Sequence, residues 1–213
     1  MHFFAKEQHM RMRGLCAITL AAVVAGSVSM MGQMGGGAGG GPHSTLTQNR
    51  ASPHDTINVR VGSGRGAPMV TIVYGRPYSK SPQGEMRKIW GTLVPWGKVW
   101  RLGSDEATLM VTQKALTFGD VTVPAGAYTL YMMPEENGPS KLIINKTIGQ
   151  WGIPYTAELQ GTELGRVEMK KEPLEKGVDQ LTLALENVPG GGGAVLKVQW
   201  ENTQYSVPFS VAK

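Results

Sequence analysis

Between residues 166 and 211 side-chain character alternates with little interruption, and this constrains the fold more than any other feature of the chain. Val167 and Met169 alternate with Arg166, Glu168 and Lys170; Leu181, Leu183 and Leu185 alternate with Thr182, Ala184 and Glu186. Leu196, Val198 and Trp200 then oppose Lys197, Gln199 and Glu201, and Val207, Phe209 and Val211 complete the series. Successive side chains of a strand point to opposite faces, so a period of two with one apolar set marks a strand wetted on one side. The same period recurs at Ile57, Val59 and Val61, at Val70, Ile72 and Tyr74, and in ATLMVT, while LTFGDVTV supplies two short strands and AYTLYMM follows a turn.

Turn chemistry separates these runs. SGRGAP (63–68), Gly119-Asp120, Pro124-Ala125-Gly126 and the glycine run at 189–194 all break a strand pattern, and Asn202-Thr203-Gln204 reads as a hairpin loop. The glycine run has no Lys-Ser/Thr pair or helix behind it, so it reads as a slack hairpin rather than a phosphate cradle. About ten short strands without a helical period predict an all-β chain, an antiparallel β-sandwich with irregular Trp-rich loops. The 29 glycines and 13 prolines suit that expectation.

The N-terminus reads as a secretory signal over 1–29: Lys6, Arg11 and Arg13, an apolar run from Leu15 to Val28, and small residues near Ala25, Ser27 and Ser29. The run is too short for a comfortable membrane span, and no cysteine follows it to take a lipid. Residues 30–55 have no hydrophobic period and read as a flexible Gly/Met-rich tether, leaving 56–213 as the folded domain. A periplasmic or secreted location follows, with no stable membrane insertion after cleavage. Outside the signal, 18 basic residues face 15 acidic ones without a basic stripe, which argues against nucleic acid.

The four histidines are His2, His9, His43 and His54, and the single cysteine is Cys16, so from residue 55 onward there is neither type. With those histidines assigned to the signal and tether, the domain is expected to hold no His- or Cys-based nucleophile and no zinc site. No cofactor is implied, and the reading leans away from an enzyme.

The chemistry gathers instead in residues 87–108, RKIWGTLVPWGKVWRLGSDEAT. Trp90, Trp96 and Trp100, Arg87 and Arg101, and Asp105 and Glu106 stand there among glycines and prolines that break any period. Arg76 precedes this segment, and a second irregular stretch, 146–165, adds Trp151 and Tyr155. Two readings stay open. The tryptophans either plug one end of the β core or, with the arginines, build a surface for a glycan, a peptide or an envelope protein. Glu106 either accepts a bidentate bond from Arg101 or Arg87, or acts with a second acid such as Glu85 in glycan hydrolysis. A purely structural exported domain is the remaining alternative.

YGRP at 74–77, IWGTLVPWGKVWRLGSDEAT at 89–108, VPAGAYTLYMMP at 123–134, and INK with a following WG at 144–152 resemble a bacterial exported family, domain-of-unknown-function family 2911. The resemblance runs from about residue 57 to the end. It implies a secreted or periplasmic β-rich domain without an established activity. Asp105 departs from the family's usual Asn, Trp96 from Tyr, and Met86 from Gly.

Overall fold

A computed structural model describes residues 52–212. The expected signal and most of the expected tether lie outside the described residues. The elements in chain order are β1 (His54–Arg60), β2 (Met69–Gly75), β3 (Thr108–Thr112), β4 (Leu116–Phe118), β5 (Val121–Val123), β6 (Gly126–Met133) and β7 (Ser140–Asn145). They are followed by α1 (Ala157–Gly161), β8 (Glu163–Asn187) and β9 (Gly193–Val211). Among the described residues no helix is long and apolar enough to cross a membrane.

The all-β antiparallel expectation holds, and the nine strands form one hydrogen-bonded sheet in the order β1-β2-β3-β6-β7-β8-β9-β4-β5. Two stretches expected to be separate strands, around Val167 and around Leu183, are one strand of 25 residues. Its first part pairs with β7, from Glu163 to Met169, and the remainder with β9. β8 thereby carries the sheet round, so that β2 and the far half of β8 meet across a shared core. The Tyr74 hydroxyl accepts the Leu183 N–H at 3.0 Å, and Asn187 Nδ2 donates to Arg60 O at 2.9 Å.

That core contains the expected inward sets: Val70, Ile72 and Tyr74 of β2, Leu181, Leu183 and Leu185 of β8, and Leu196, Val198 and Trp200 of β9. β6 and β7 are buried on both faces, so LYMM and LIIN are continuous apolar runs rather than alternations. Ala107, Tyr131 and Ile143 form a small second cluster, joined by Val99, Met133 and Tyr155.

Two expectations are corrected. Asn202-Thr203-Gln204 is no hairpin: β9 runs through it from Gly193 to Val211. Glu201 adopts φ +51°, and the register with β8 shifts between Pro173 and Val178 and again between Val178 and Thr182. Extra residues in one strand bend a ladder without ending it, and the polar triplet marks that irregularity. Likewise β1 begins at His54, two residues before the expected boundary, with His54 opposite Gly75. The tether assignment of His54 rested on weak local hydrophobicity; pairing to β2 overrides it.

Trp200 is 1% exposed and sits where the bent part of the sheet meets the loops. Replacing it with alanine leaves a large void in a close-packed core. Trp200→Ala is expected to lower the unfolding free energy by ~3–5 kcal/mol, measured by urea denaturation; a change below ~1 kcal/mol would mean that the core does not depend on it.

Candidate functional site

The irregular segment is fixed to the sheet at Gly75, the last residue of β2. A Cβ built there would lie 2.3 Å from the Ser104 carbonyl oxygen, so only glycine lets the loop lie directly on the strand. Arg76 locks the same corner. Its Nη1 donates to Asp55 Oδ2 at 2.9 Å, its Nε to Leu181 O at 3.1 Å and its Nη2 to Thr182 Oγ1 at 3.1 Å. The guanidinium proposed for ligand binding is thus occupied in tying β1 to β8. Further along, Leu102 and Asp105 have φ of +57° and +64°. The left-handed region is uncommon outside glycine, above all for a fully buried leucine, so tertiary contacts hold the backbone in this shape.

The tryptophans separate into two groups. Trp90 is buried, Trp96 and Trp100 are partly buried, and all three join the core around Trp200. Trp90 meets Trp96 face to face at 6.3 Å and Trp100 edge-on at 6.1 Å, and Trp100 stacks on Trp200 at 5.9 Å. Lys171 covers Trp96, its Nζ 4.7 Å from the ring centre. These three plug the end of the core. Trp151 is 52% exposed, with the Arg101 guanidinium 5.3 Å from its ring centre.

Beside the tryptophan plug opens a cleft of about 720 Å³. Of the residues singled out in the sequence, Arg87, Trp100 and Arg101 line it. Tyr78, Lys80, Ser104 and Asp179 line it too and were missed. Ser79 and Asp179 are linked across a hundred positions of chain, through Ser79 Oγ donating to Asp179 O at 2.8 Å, and no local pattern announces such a meeting. The only signal was the polar and aromatic content of the YSKS segment.

The cleft's charged lining is Lys80, Arg87 and Arg101 against Asp179. Among the described residues no carboxylate forms an ion pair with any of the three cations. Arg87 donates to the Tyr78 and Ser79 carbonyls. Arg101 Nη1 donates to Trp151 O at 3.4 Å. Burial lowers the Arg101 pKa, and the nearby charges of Asp105 and Glu106 offset only part of that. The Ser104 hydroxyl is buried without a hydrogen-bond partner among the described residues.

Asp105 and Glu106 lie outside the cleft lining. Glu106 Oε2 is 3.2 Å from His54 Nε2, and no ion pair with Arg101 or Arg87 is present among the described residues. The expected Arg–Glu106 pin is therefore replaced by a histidine at the start of β1. The expectation of a folded domain without histidine falls with it. Among the described residues Ser104 makes no hydrogen bond to His54.

Tyr155 belongs to a separate network beneath the 146–162 connection. Its hydroxyl donates to Glu163 Oε1 at 2.7 Å, and Arg166 grips the same carboxylate through Nε and Nη2, both at 2.8 Å. Burial, and donation of its proton to Glu163, push the Tyr155 pKa far up. Asn145 Nδ2 donates to Leu159 O at 2.6 Å, fixing the single helical turn that Thr156 caps. The network has the geometry of a brace for this loop. Among the described residues no cluster of three or more His, Cys, Asp or Glu side chains is arranged to hold a metal.

The family model described as "Protein of unknown function (DUF2911)" matches residues 52–209. No curated protein and no solved structure matches the chain.

The Glu163 brace carries a pH signature. Burial opposes its ionisation, but the bonds from Arg166 and Tyr155 outweigh that and hold its carboxyl below the usual range. A depressed carboxyl pKa contributes stability above the unfolded value of about 4.3 and loses it as pH falls through the folded value. The unfolding midpoint in urea is expected to fall less steeply below about pH 4.3 in Glu163→Gln than in the parent chain. Parallel pH profiles would show that the bonded carboxylate does not support the loop.

Proposed function

Since the chain belongs to the DUF2911 family, whose description assigns no chemistry, we propose from its site that it is a non-catalytic binding domain of the cell envelope. It is exported, works in the periplasm or outside the cell, and takes a glycan, peptide or envelope-protein ligand in the cleft between Arg87, Trp100 and Arg101. Export rests on the N-terminal charged, apolar and small-residue pattern.

One observation carries the binding reading: a cleft of about 720 Å³ walled by aromatic and apolar groups, with half-buried guanidinium groups that form no ion pair with a carboxylate among the described residues. Concave, largely apolar sites with a few convergent polar groups are where small ligands bind, in volumes of about 300–1,000 Å³. Desolvating a cation without a counter-charge bonded to it costs stability, and an anionic ligand supplies that bond. A hydrolase acting on glycans needs two carboxyl groups facing the bond, and among the described residues this cleft presents only Asp179. A purely structural domain would have its loop arginines paired, and Arg101 instead has an exposed tryptophan over it.

Acrylamide quenching of the tryptophan fluorescence tests this, with a panel of neutral and acidic glycans and peptides as ligands. Trp151 is expected to dominate the quenchable fraction, and a ligand in the cleft is expected to alter the emission of Trp100, which lines it. Arg101→Gln is expected to weaken binding about tenfold or more at an unchanged unfolding midpoint. If no ligand alters the tryptophan emission, the cleft is not a binding site.

A further inference from the structure

The cleft does not end at Lys80 and Asp179. Both residues also line a second cavity, of about 440 Å³, so the two spaces adjoin along that wall. The second cavity lies over the shifted register between β8 and β9, and its lining includes Met86, Gly177, Asn202 and Thr203. Its character differs from the first: no guanidinium lines it, and the carboxylates of Asp179 and Glu201 stand there with the amide and hydroxyl side chains of Asn202 and Thr203. A ligand filling both must present an anionic group at one end and, towards the acceptor carboxylates, uncharged hydroxyl-bearing surface at the other.

The backbone argues against an extended peptide. Peptides that bind β proteins in extended form add a strand to an open ladder. Here the ladder is open where β8 leaves β9, but residues 77–80 already fill it. Ser79 N donates to Asp179 O at 2.6 Å and Leu181 N donates to Pro77 O at 2.9 Å. Recognition must therefore come from side chains: Arg87, Lys80 and Arg101 for anionic groups, Trp100 and Tyr78 for ring faces, Asn202 and Thr203 for hydroxyls. Guanidinium forks match planar carboxylates and suit bidentate bonding.

We propose that the ligand is an acidic oligosaccharide, with its anionic end held by Arg87 and Arg101 and a chain that passes Lys80 and Asp179 into the second cavity. This rests on the cleft being the binding site. Asn202 and Thr203 line the second cavity and not the first, so only a chain longer than the first cavity reaches them.

The test uses the full chain and four probes: cello-oligosaccharides of two to six residues oxidised to a carboxylate at the reducing end, a sulfated heparin tetrasaccharide, unmodified cellohexaose, and hexaglutamate. Binding is followed by calorimetry. The oxidised hexamer is expected to bind about tenfold tighter than cellohexaose, and to weaken as ionic strength rises past about 0.1 M. Affinity is expected to grow with chain length. Asn202→Ala, at an exposed position, is expected to weaken the six-residue chain several-fold more than the two-residue one. Stronger binding of the sulfated probe would assign the anionic group to sulfate rather than carboxylate and still uphold the inference. Equal binding of cellohexaose, or tighter binding of hexaglutamate, overturns it and leaves the cleft reading standing. If no probe binds, both fail.

Discussion

A single backbone oxygen, the carbonyl of Asp179, holds together most of what distinguishes this domain. It accepts the Ser79 N–H at 2.6 Å, the Ser79 hydroxyl at 2.8 Å and the Trp200 indole N–H at 3.2 Å. A carbonyl has two lone pairs, so three donors crowd it fully. Its position explains the crowding: Asp179 lies within the interval where the β8 and β9 registers shift, and its backbone is released from the ladder. The oxygen freed there seats the 77–80 segment, and that segment forms one wall of the cleft. Trp200, held from the same oxygen, returns its own carbonyl to the Trp90 indole N–H at 3.4 Å. The bulge, the tryptophan plug and the cleft are consequences of one irregularity in one pair of strands.

That dependence explains what could be read from the sequence. Period-two alternation is local, and the inward sets of β2, β8 and β9 were legible because each residue reports its own face. The continuity of β8 was not, because the polar stretch between Lys170 and Gln180 resembles a loop until its partner strand is known. Asn202 misled for the same reason: a bulge and a hairpin draw on similar residue types, and only cross-strand register separates them. His54 was assigned to the tether because pairing with Gly75 leaves no apolar period at a strand's first residue.

The site was legible in composition more than in geometry. Arg87, Trp100 and Arg101 stood out as types unusual in a glycine-broken loop, and they share the cleft. Arg76, Trp90 and Trp96 stood out equally and serve the scaffold, as the Asp55 pair and the Trp200 cluster demonstrate. Residue type reveals that a side chain is costly to place. It does not reveal whether the compensation comes from the protein or from a ligand.

Arg101 and Glu106 make that distinction concrete. They are five positions apart, opposite in charge and close enough to influence one another's field, yet no ion pair joins them among the described residues. Glu106 meets His54 instead, on the β1 side of the loop, while Asp105 takes a left-handed turn between them. Had the loop continued extended, with Glu106 free to reach Arg101, a bidentate pair would have neutralised the cleft and fixed the guanidinium against the sheet. The positive φ at Asp105 and the histidine at the head of β1 keep the carboxylate elsewhere. The cleft thereby retains a half-buried guanidinium that faces the Trp151 ring rather than a paired carboxylate. Closing the pair would commit the guanidinium fork to Glu106, and only the open form leaves its donors available to a ligand of the kind proposed.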